Sequence, residues 1–535
     1  MATLTRAEGR LGVRIAAGQE VNPWLIAFTV MLATFMEVLD TSVANVALPH
    51  IAGSLSATPE EATWVLTAYL VANAIVLPMS GWLSSLFGRK RFYMTCVFLF
   101  TVSSALCGLA PSLMLLIVFR ILQGLGGGAL QPISQAIMRE SFPRERQGMA
   151  MAIYGMGVVF APVIGPTLGG WITDNFSWHW IFLINIPVGA LALILNSALI
   201  QDPPYLERRQ LGNGLRLDFA GFGLLVTGLG FLEYTLDEGQ RKDWFSSNLI
   251  LASAIIAATA LIAVVFWELR QRDPIIDLRL LKDRNFAIST VNMFALGFVL
   301  YASTTAMPLF MQTLLGYTAT QSGLALSPGG LVIMFMMPVV GMLLSRIQAK
   351  WLIIFGLVVS SLGLLMMTRW TLGIAFNNAV IARMVQSLGL AFLFVPINTI
   401  AFYYIDRAKT SYATGIINLA RNIGGSVGIA VFTTLLARRQ QFHQHMLVSH
   451  LTPFDPNYQS TLQGMAGALL ERGIGAAEAA AKAQGMLYGI VQQQAAMLAF
   501  IDVFYFLAIT FLVLVPLMFL IKKVKPQRGQ QVAAH

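Results

Sequence analysis

Fourteen apolar stretches recur along the 535 residues, at about 24–48, 64–86, 92–109, 113–137, 148–172, 181–199, 219–236, 247–267, 286–310, 322–344, 351–368, 376–403, 412–437 and 497–521. Each is bounded by charges or turn residues. About 20 residues of helix cross the hydrocarbon core of a bilayer, and inside it every backbone polar group must be bonded within the protein. Runs of this length therefore predict fourteen membrane helices, spans 1 to 14. Composition agrees: 56% of the residues are hydrophobic and 11% charged, whereas a soluble domain carries about 25% charge. A water-soluble globule is excluded.

The formal net charge of +10 does not point to nucleic acid, because the basic residues fall in short clusters between spans, such as Arg89-Lys90-Arg91 and Lys522-Lys523. An even number of spans puts both termini on one side. Loops on that side hold 25 of the 35 Lys and Arg, the other side seven, and Arg120, Arg383 and Arg421 lie within spans. The positive-inside bias predicts that both termini are cytoplasmic. The stretch after Arg6, Arg10 and Arg14 is too long for a signal peptide and contains Glu37 and Asp40, so it reads as a retained first span. Cys96 and Cys107, eleven residues apart on one helix, are separated by about 16 Å and form no disulfide.

Internal repetition divides the chain. Pro78-x-x-Gly81-x-Leu83 in span 2 returns as Pro338-x-x-Gly341-x-Leu343 in span 10, and Arg120-x-x-Gln123-x-x-Gly126 in span 4 as Arg383-x-x-Gln386-x-x-Gly389 in span 12. Pro49 and Pro308 read as the ends of spans 1 and 9, and the three offsets are 260, 263 and 259. The expected organisation is a cytoplasmic segment 1–23, a six-helix half 24–200, two inserted helices within 201–285, a second six-helix half 286–521 and a tail 522–535. Paired halves around a midplane site are the plan of a secondary transporter.

Charges inside hydrocarbon are costly and mark function by default. Glu37 and Asp40 share a face of span 1, where desolvation and a nearby cation pull an acid's proton affinity in opposite directions. Arg120 in span 4 is the natural cation, which makes Asp40, Glu37 and Arg120 the candidates for proton coupling. At an offset of 259, Asp40 maps to Val299, so the second half holds no equivalent acid. In span 5, Gly157, Ala161, Gly165 and Gly169 form a ridge of small residues for close helix approach, followed by Gly170 and interrupted by Pro162 and Pro166. Such a helix suits a rocking motion. Ala420, Gly424 and Gly428 are its partial counterpart in span 13.

Gln123, Glu233, Arg383, Gln386, Asn418, Arg421 and Asn422 are candidates to line a central cavity; Glu233 and Asp502 lie near span ends, where an interfacial position is also open. Three acids, Glu37, Asp40 and Glu233, balance three arginines within the spans, so the tally favours neither cationic nor anionic cargo. The histidines fall in loops or the tail, no Cys/His group has zinc spacing, and neither a phosphate loop nor a nucleophile–base pair appears. An enzyme is therefore not expected. Residues 439–496 form one long loop on the side away from the termini, with Thr461–Arg472 and Ala476–Gln494 reading as two helices hinged at Gly473–Gly475. It serves either as a partner-docking surface or as a cover for the cavity mouth.

Five motifs, LDTSVANVALP (39–49), GWLSSLFGRKR (81–91), RILQGLGGGA (120–129), GPTLGG (165–170) and WHWIFLINIPVG (178–189), give the chain its resemblance to the fourteen-helix drug:proton antiporters of the major facilitator superfamily, above all to EmrB-type members. The resemblance runs over essentially the whole chain. It implies an all-α membrane protein of the major facilitator fold, two six-helix halves plus two inserted central helices. It also implies export of lipophilic drugs across a bacterial inner membrane, driven by the proton gradient without a cofactor. Asp40 would be the coupling acid, Arg120 its partner, and residues 165–170 the antiporter signature. Partners would be a periplasmic adaptor and an outer-membrane channel, engaged through 439–496. Gly81, Gly88, Arg89, Lys90 and Arg91 would form the cytoplasmic gate loop, but Ser85 and Leu86 stand where the family carries an acid and a base, so the usual charged latch is incomplete. The rival readings are a dedicated exporter of one metabolite, such as a siderophore or amino acid, and a non-transporting sensor or scaffold.

Overall fold

The computed structural model describes residues 13–14, 20–143, 146–202, 218–271, 273–406, 409–449, 451–452 and 454–522. Arg6, Arg10, His450, Pro453, Lys523 and His535 lie outside them. Apart from a two-residue antiparallel pairing of Val13–Arg14 with Glu20–Val21, the described regular structure is helical.

The membrane helices are α1 (Pro23–Ser54), α2 (Trp64–Phe87), α3 (Arg89–Gly108), α4 (Leu113–Ser141), α5 (Gln147–Asn175), α6 (Trp180–Leu199), α7 (Phe219–Glu238) and α8 (Asn248–Arg270). The second half follows as α9 (Arg284–Leu314), α10 (Ala319–Leu343), α11 (Ala349–Met367), α12 (Phe376–Ala401), α13 (Thr410–Ser449) and α14 (Ala476–Met518). Thirteen of these are straight enough and apolar enough to span singly. The fourteenth, α5, bends by 45° between Gln147–Pro162 and Thr167–Asn175, as expected where prolines remove ladder bonds. Side chains start several helices by accepting an orphan N–H: Asn22 from Trp24, Ser112 from Leu115, Asp218 from Gly221, Asp283 from Phe286.

Helices α1–α6 pack among themselves, as do α9–α14; the halves meet along α2 with α13 and α5 with α10. The inserted α7 packs on both α2 and α13, while α8 packs mainly on α7. Two expectations need correction. Pro49 and Pro308 lie inside α1 and α9 rather than ending them. Residues 439–496 are not a loop: α13 continues to Ser449, a helix spans Pro456–Glu471, and Ala476 begins α14 itself, so 476–494 is no separate helix. With 40 and 43 residues, α13 and α14 are about 60 and 65 Å long, twice a hydrocarbon core of roughly 30 Å. Their excess forms a helical arm on the face opposite the termini, steadied by Gln444 donating to the Tyr488 hydroxyl at 3.0 Å.

Candidate functional site

Glu37 and Asp40 lie about one turn apart on α1 yet serve different neighbours. Asp40 turns into the first half. Its Oδ2 meets Arg120 of α4 at 2.5 Å, and its Oδ1 accepts from the amides of Gln123 at 2.9 Å and Asn185 of α6 at 2.8 Å. Arg120 also donates to the Val65 carbonyl and to Gln123, and lies 4.2 Å from the centre of the Tyr69 ring. Both side chains of the pair are 0% exposed. A buried pair holds only when the remaining polar atoms are bonded too; both Asp40 oxygens are, while Nη2 of Arg120 has no hydrogen-bond partner. In this conformation the expected coupling acid is sealed.

Glu37 turns toward the seam between the halves. Its Oε1 accepts from the Tyr69 hydroxyl at 3.2 Å and the Asn73 amide at 3.1 Å, and its Oε2 from the Gln131 amide at 2.7 Å. The other side of Gln131 accepts a hydrogen bond from Arg421 of α13. An acid of the first half is thus tied to a cation of the second through one neutral amide. Nearby, Gln135 and Asn418 exchange amide bonds of 3.2 and 3.0 Å across the same seam.

Gln131 and Arg421 border a cavity of about 30 Å³ whose other walls include Val38, Pro162, Tyr301 and Phe394. That volume holds a water or two, so the path between the halves is contracted. On the face of the termini it is closed. Arg139 of α4 reaches the Asn398 carbonyl of α12 at 3.1 Å and covers the Phe402 ring at 3.5 Å. Arg89, 1% exposed, pairs with Glu140 at the end of α4 and donates to Ser411 at the start of α13 at 3.0 Å. A Cβ on Gly81 would stand 2.7 Å from the Tyr412 nitrogen, so only glycine permits that approach.

With Ser85 carrying no charge, Arg89 finds its carboxylate in Glu140, a residue the sequence analysis did not single out. Ser85 itself bonds the Trp82 carbonyl and Leu86 is buried. Gly88 turns the chain with φ +82°, Lys90 holds Asp202 and the Ser197 carbonyl, and Arg91 is exposed.

In the second half, Arg383 donates to Gln386 at 2.8 Å, Ser303 at 3.3 Å and Thr304 at 3.0 Å, and Gln386 donates to Ser303 at 2.8 Å. This repeats the Asp40, Arg120 and Gln123 arrangement at a constant offset of 263, with a hydroxyl where the acid stood. The expected equivalent, Val299, is about one turn off, because the proline landmark slips by four residues relative to the site.

The structure brings Glu37, Gln131, Asn418 and Arg421 together at the seam and keeps Gln123 and Gln386 inside their own halves. Asn422 is half-buried. Glu233 is buried on α7, which packs on α2 and α13. Asp502 accepts from Arg439 at 2.5 Å and His443 at 2.7 Å near the base of the arm. Gln131, Asn73, Tyr69 and Asn185 were missed; their one signal was a polar side chain in mid-span.

The small-residue ridge of α5 lies on α1. A Cβ on Gly157 would meet Met31 at 2.7 Å, one on Gly169 would meet Val43 at 2.9 Å, one on Gly165 would collide with Ser42, and Ala161 is fully buried. A Cβ on Gly170 would meet only the Val46 side chain, at 4.0 Å. Pro166 has no N–H for the Pro162 carbonyl, and the Ser42 hydroxyl supplies the bond at 3.2 Å. The side-chain surroundings of Pro166 are outside those described.

A model of the Major Facilitator Superfamily matches residues 30–429. The Multidrug export protein EmrB of Haemophilus influenzae is 37% identical over 82% of this chain and 85% of its own. The Fatty acid resistance protein FarB of Neisseria gonorrhoeae is 36% identical over 93% and 96%. EmrB of Escherichia coli K12 is 32% identical over 93% and 95%. Among solved structures, the human organic anion transporter MFSD10 (TETRAN) aligns over 93% of this chain and 100% of its own with a TM-score of 0.58 at 13% identity, a likeness of fold alone.

Proposed function

The chain is a multi-pass membrane transporter of the major facilitator superfamily, in its EmrB-type group, and from that premise we propose that it exports chemically diverse lipophilic compounds across a bacterial cytoplasmic membrane in exchange for protons. The reading is carried by one observation: Glu37, an acid without a cation in direct contact, is bonded through Gln131 to Arg421 at the cavity between the halves. A hydrogen bond from an amide to a carboxylate is roughly twice as strong as one between neutral groups. Proton uptake by Glu37 weakens the Glu37–Gln131 bond, and with it the tie from Gln131 to α13, so protonation acts on the seam that must part in alternating access. The Asp40–Arg120 pair positions α1 against α4. The α5 ridge gives α1 a close surface to move on, and the Arg89–Glu140–Ser411 contact is the latch of the closed face. One proton falling through 100 mV supplies about 2.3 kcal/mol, between one and two decades of substrate gradient.

The names of the relatives, multidrug export and fatty acid resistance, support a lipophilic cargo. The arm built by α13, the Pro456–Glu471 helix and α14 offers the surface for a periplasmic adaptor and, through it, an outer-membrane channel. The test is transport in proteoliposomes under an imposed pH gradient, read with a fluorescent lipophilic dye and a panel of unrelated lipophilic competitors. Uptake that vanishes when nigericin collapses the gradient supports antiport. Uptake that survives the collapse overturns proton coupling, and competition by one compound only replaces the multidrug reading with a dedicated exporter.

A further inference from the structure

We infer that the second half carries the anion-recognising end of the cargo site, with Arg421 as the principal group, and that the preferred cargo is an amphipathic organic anion. The inference rests on the reading above that the cavity between the halves takes the transported compound.

The three acids and three arginines of the spans balance only in sum. Glu37 and Asp40 belong to α1 and Glu233 to α7, whereas α9 through α13 contain no Asp or Glu at all. Arg383 and Arg421 therefore sit in a half whose described residues give them no carboxylate contact. Both are buried, at 2% and 3% exposure, and the Nε of each has no hydrogen-bond partner. An ionised group in a low-dielectric site is costly unless it is paired, and a guanidinium keeps its proton. Among the described residues, Arg421 is the one charged side chain on the wall of the cavity. Beside it stands the Gln131 amide, and the rest of that wall is apolar or amphipathic, with Val158, Leu296, Leu300, Leu390 and Phe394 beside the Tyr301 ring.

Once the halves part and the contracted cavity widens, a single cationic group beside one amide on an otherwise apolar wall matches a ligand with one anionic head and a hydrocarbon body. Arg383 extends the same character away from the seam. Its NH2 reaches Thr304, one turn beyond Leu300 and Tyr301 on α9, and the nearby Ser387 hydroxyl also lacks a partner. The membrane potential favours such cargo. An anion leaving a negative interior gains about fifty-fold in its attainable concentration ratio per 100 mV, and the entering proton moves charge in the same sense.

The experiment is equilibrium binding to the purified full-length protein in nanodiscs at pH 7.5. Three probes share one twelve-carbon chain: dodecanoate, dodecyltrimethylammonium and dodecanol. Dodecanoate is expected to bind at least about tenfold more tightly than dodecyltrimethylammonium, the scale of one charge-assisted hydrogen bond. Arg421→Gln should remove that preference and leave dodecanol within about twofold, since the apolar walls remain. Arg383→Gln should reduce it by less. Equal or tighter binding of the ammonium probe by the unmutated protein overturns the proposal, and that comparison stands even where Arg421→Gln fails to fold. Binding of dodecanol without charge preference removes the anion site and spares the cavity. Binding of none of the three removes the cavity reading itself, and this inference with it.

Discussion

The two halves hold the same three positions in opposite electrostatic states. In the first, Asp40, Arg120 and Gln123 close into a neutral cluster in which the acid is paired and hydrogen-bonded. In the second, Ser303, Arg383 and Gln386 keep the geometry, with 2.8 Å from arginine to glutamine in both, but the acid has become a hydroxyl. The exchange shows what the carboxylate contributes. Without it the fold still closes, because hydroxyl and amide satisfy part of the guanidinium, yet a positive charge is left in the membrane interior. The first half has used its arginine to fix structure and set its second acid, Glu37, at the seam. The second half's arginines are met by hydroxyls and amides instead of a carboxylate.

Removing the acid from the closed cluster is the harshest way to break this contrast. Asp40→Asn leaves Arg120 buried without a counter-charge, and breaking one partner of a buried pair costs about 3–5 kcal/mol. The expected result is a large fall in melting temperature and in yield, with transport lost for that reason. Glu37→Gln keeps the shape and most of the hydrogen bonds, and no cation in direct contact is stranded. It should leave melting within a few degrees while abolishing pH-driven transport and sparing exchange of cargo in the absence of a gradient. Paired thermal melts and proteoliposome assays separate the two. A stable Asp40→Asn protein with uncoupled transport, beside a fully coupled Glu37→Gln protein, would return the coupling role to Asp40.

Ser303→Asp sharpens the comparison from the other side by building the first half's cluster into the second. The new carboxylate should pair with Arg383 and raise the melting temperature, while reducing the dodecanoate preference a few-fold, less than loss of Arg421 does. A destabilised Ser303→Asp protein would mean that the two arrangements are not equivalent despite their shared offset.

Hydrophobic runs and repeated motifs were enough to expose the architecture, because a bilayer leaves a helix no alternative. Which acid does what was not legible. Glu37 and Asp40 are three residues apart and chemically alike; their surroundings diverge because Asn185 and Gln123 reach one and Gln131 the other, contacts made between spans far apart in sequence. The latch was missed for the same reason. Glu140 stands 51 residues from Arg89, and nothing in its own neighbourhood marks it. The arm was misread as a loop because Pro453 and the polar residues after Arg438 look like the end of a helix, whereas α13 and the start of α14 stay helical by packing on each other.

The smallest expected effects come from the glycine ridges, which the halves also share at the offset of 263: Ala161 corresponds to Gly424 and Gly165 to Gly428. Their obstacles differ in kind. A Cβ on Gly428 would press on the carbonyl and Cα of Phe298, which belong to the α9 backbone, whereas one on Gly165 would meet chiefly the side chain of Ser42. Backbone yields less than a side chain, and overpacking costs typically about 1–3 kcal/mol. Gly428→Ala should therefore lower the melting temperature more than Gly165→Ala. The latter should weaken transport beyond its cost in stability, because displacing Ser42 exposes the Pro162 carbonyl that its hydroxyl satisfies. Gly170→Ala, with only Val46 at 4.0 Å, should change neither by more than about 0.5 kcal/mol. Equal losses at all three positions would show that α5 and α13 respond to added bulk as a whole, and that the close contacts of α5 with α1 have no special part in its motion.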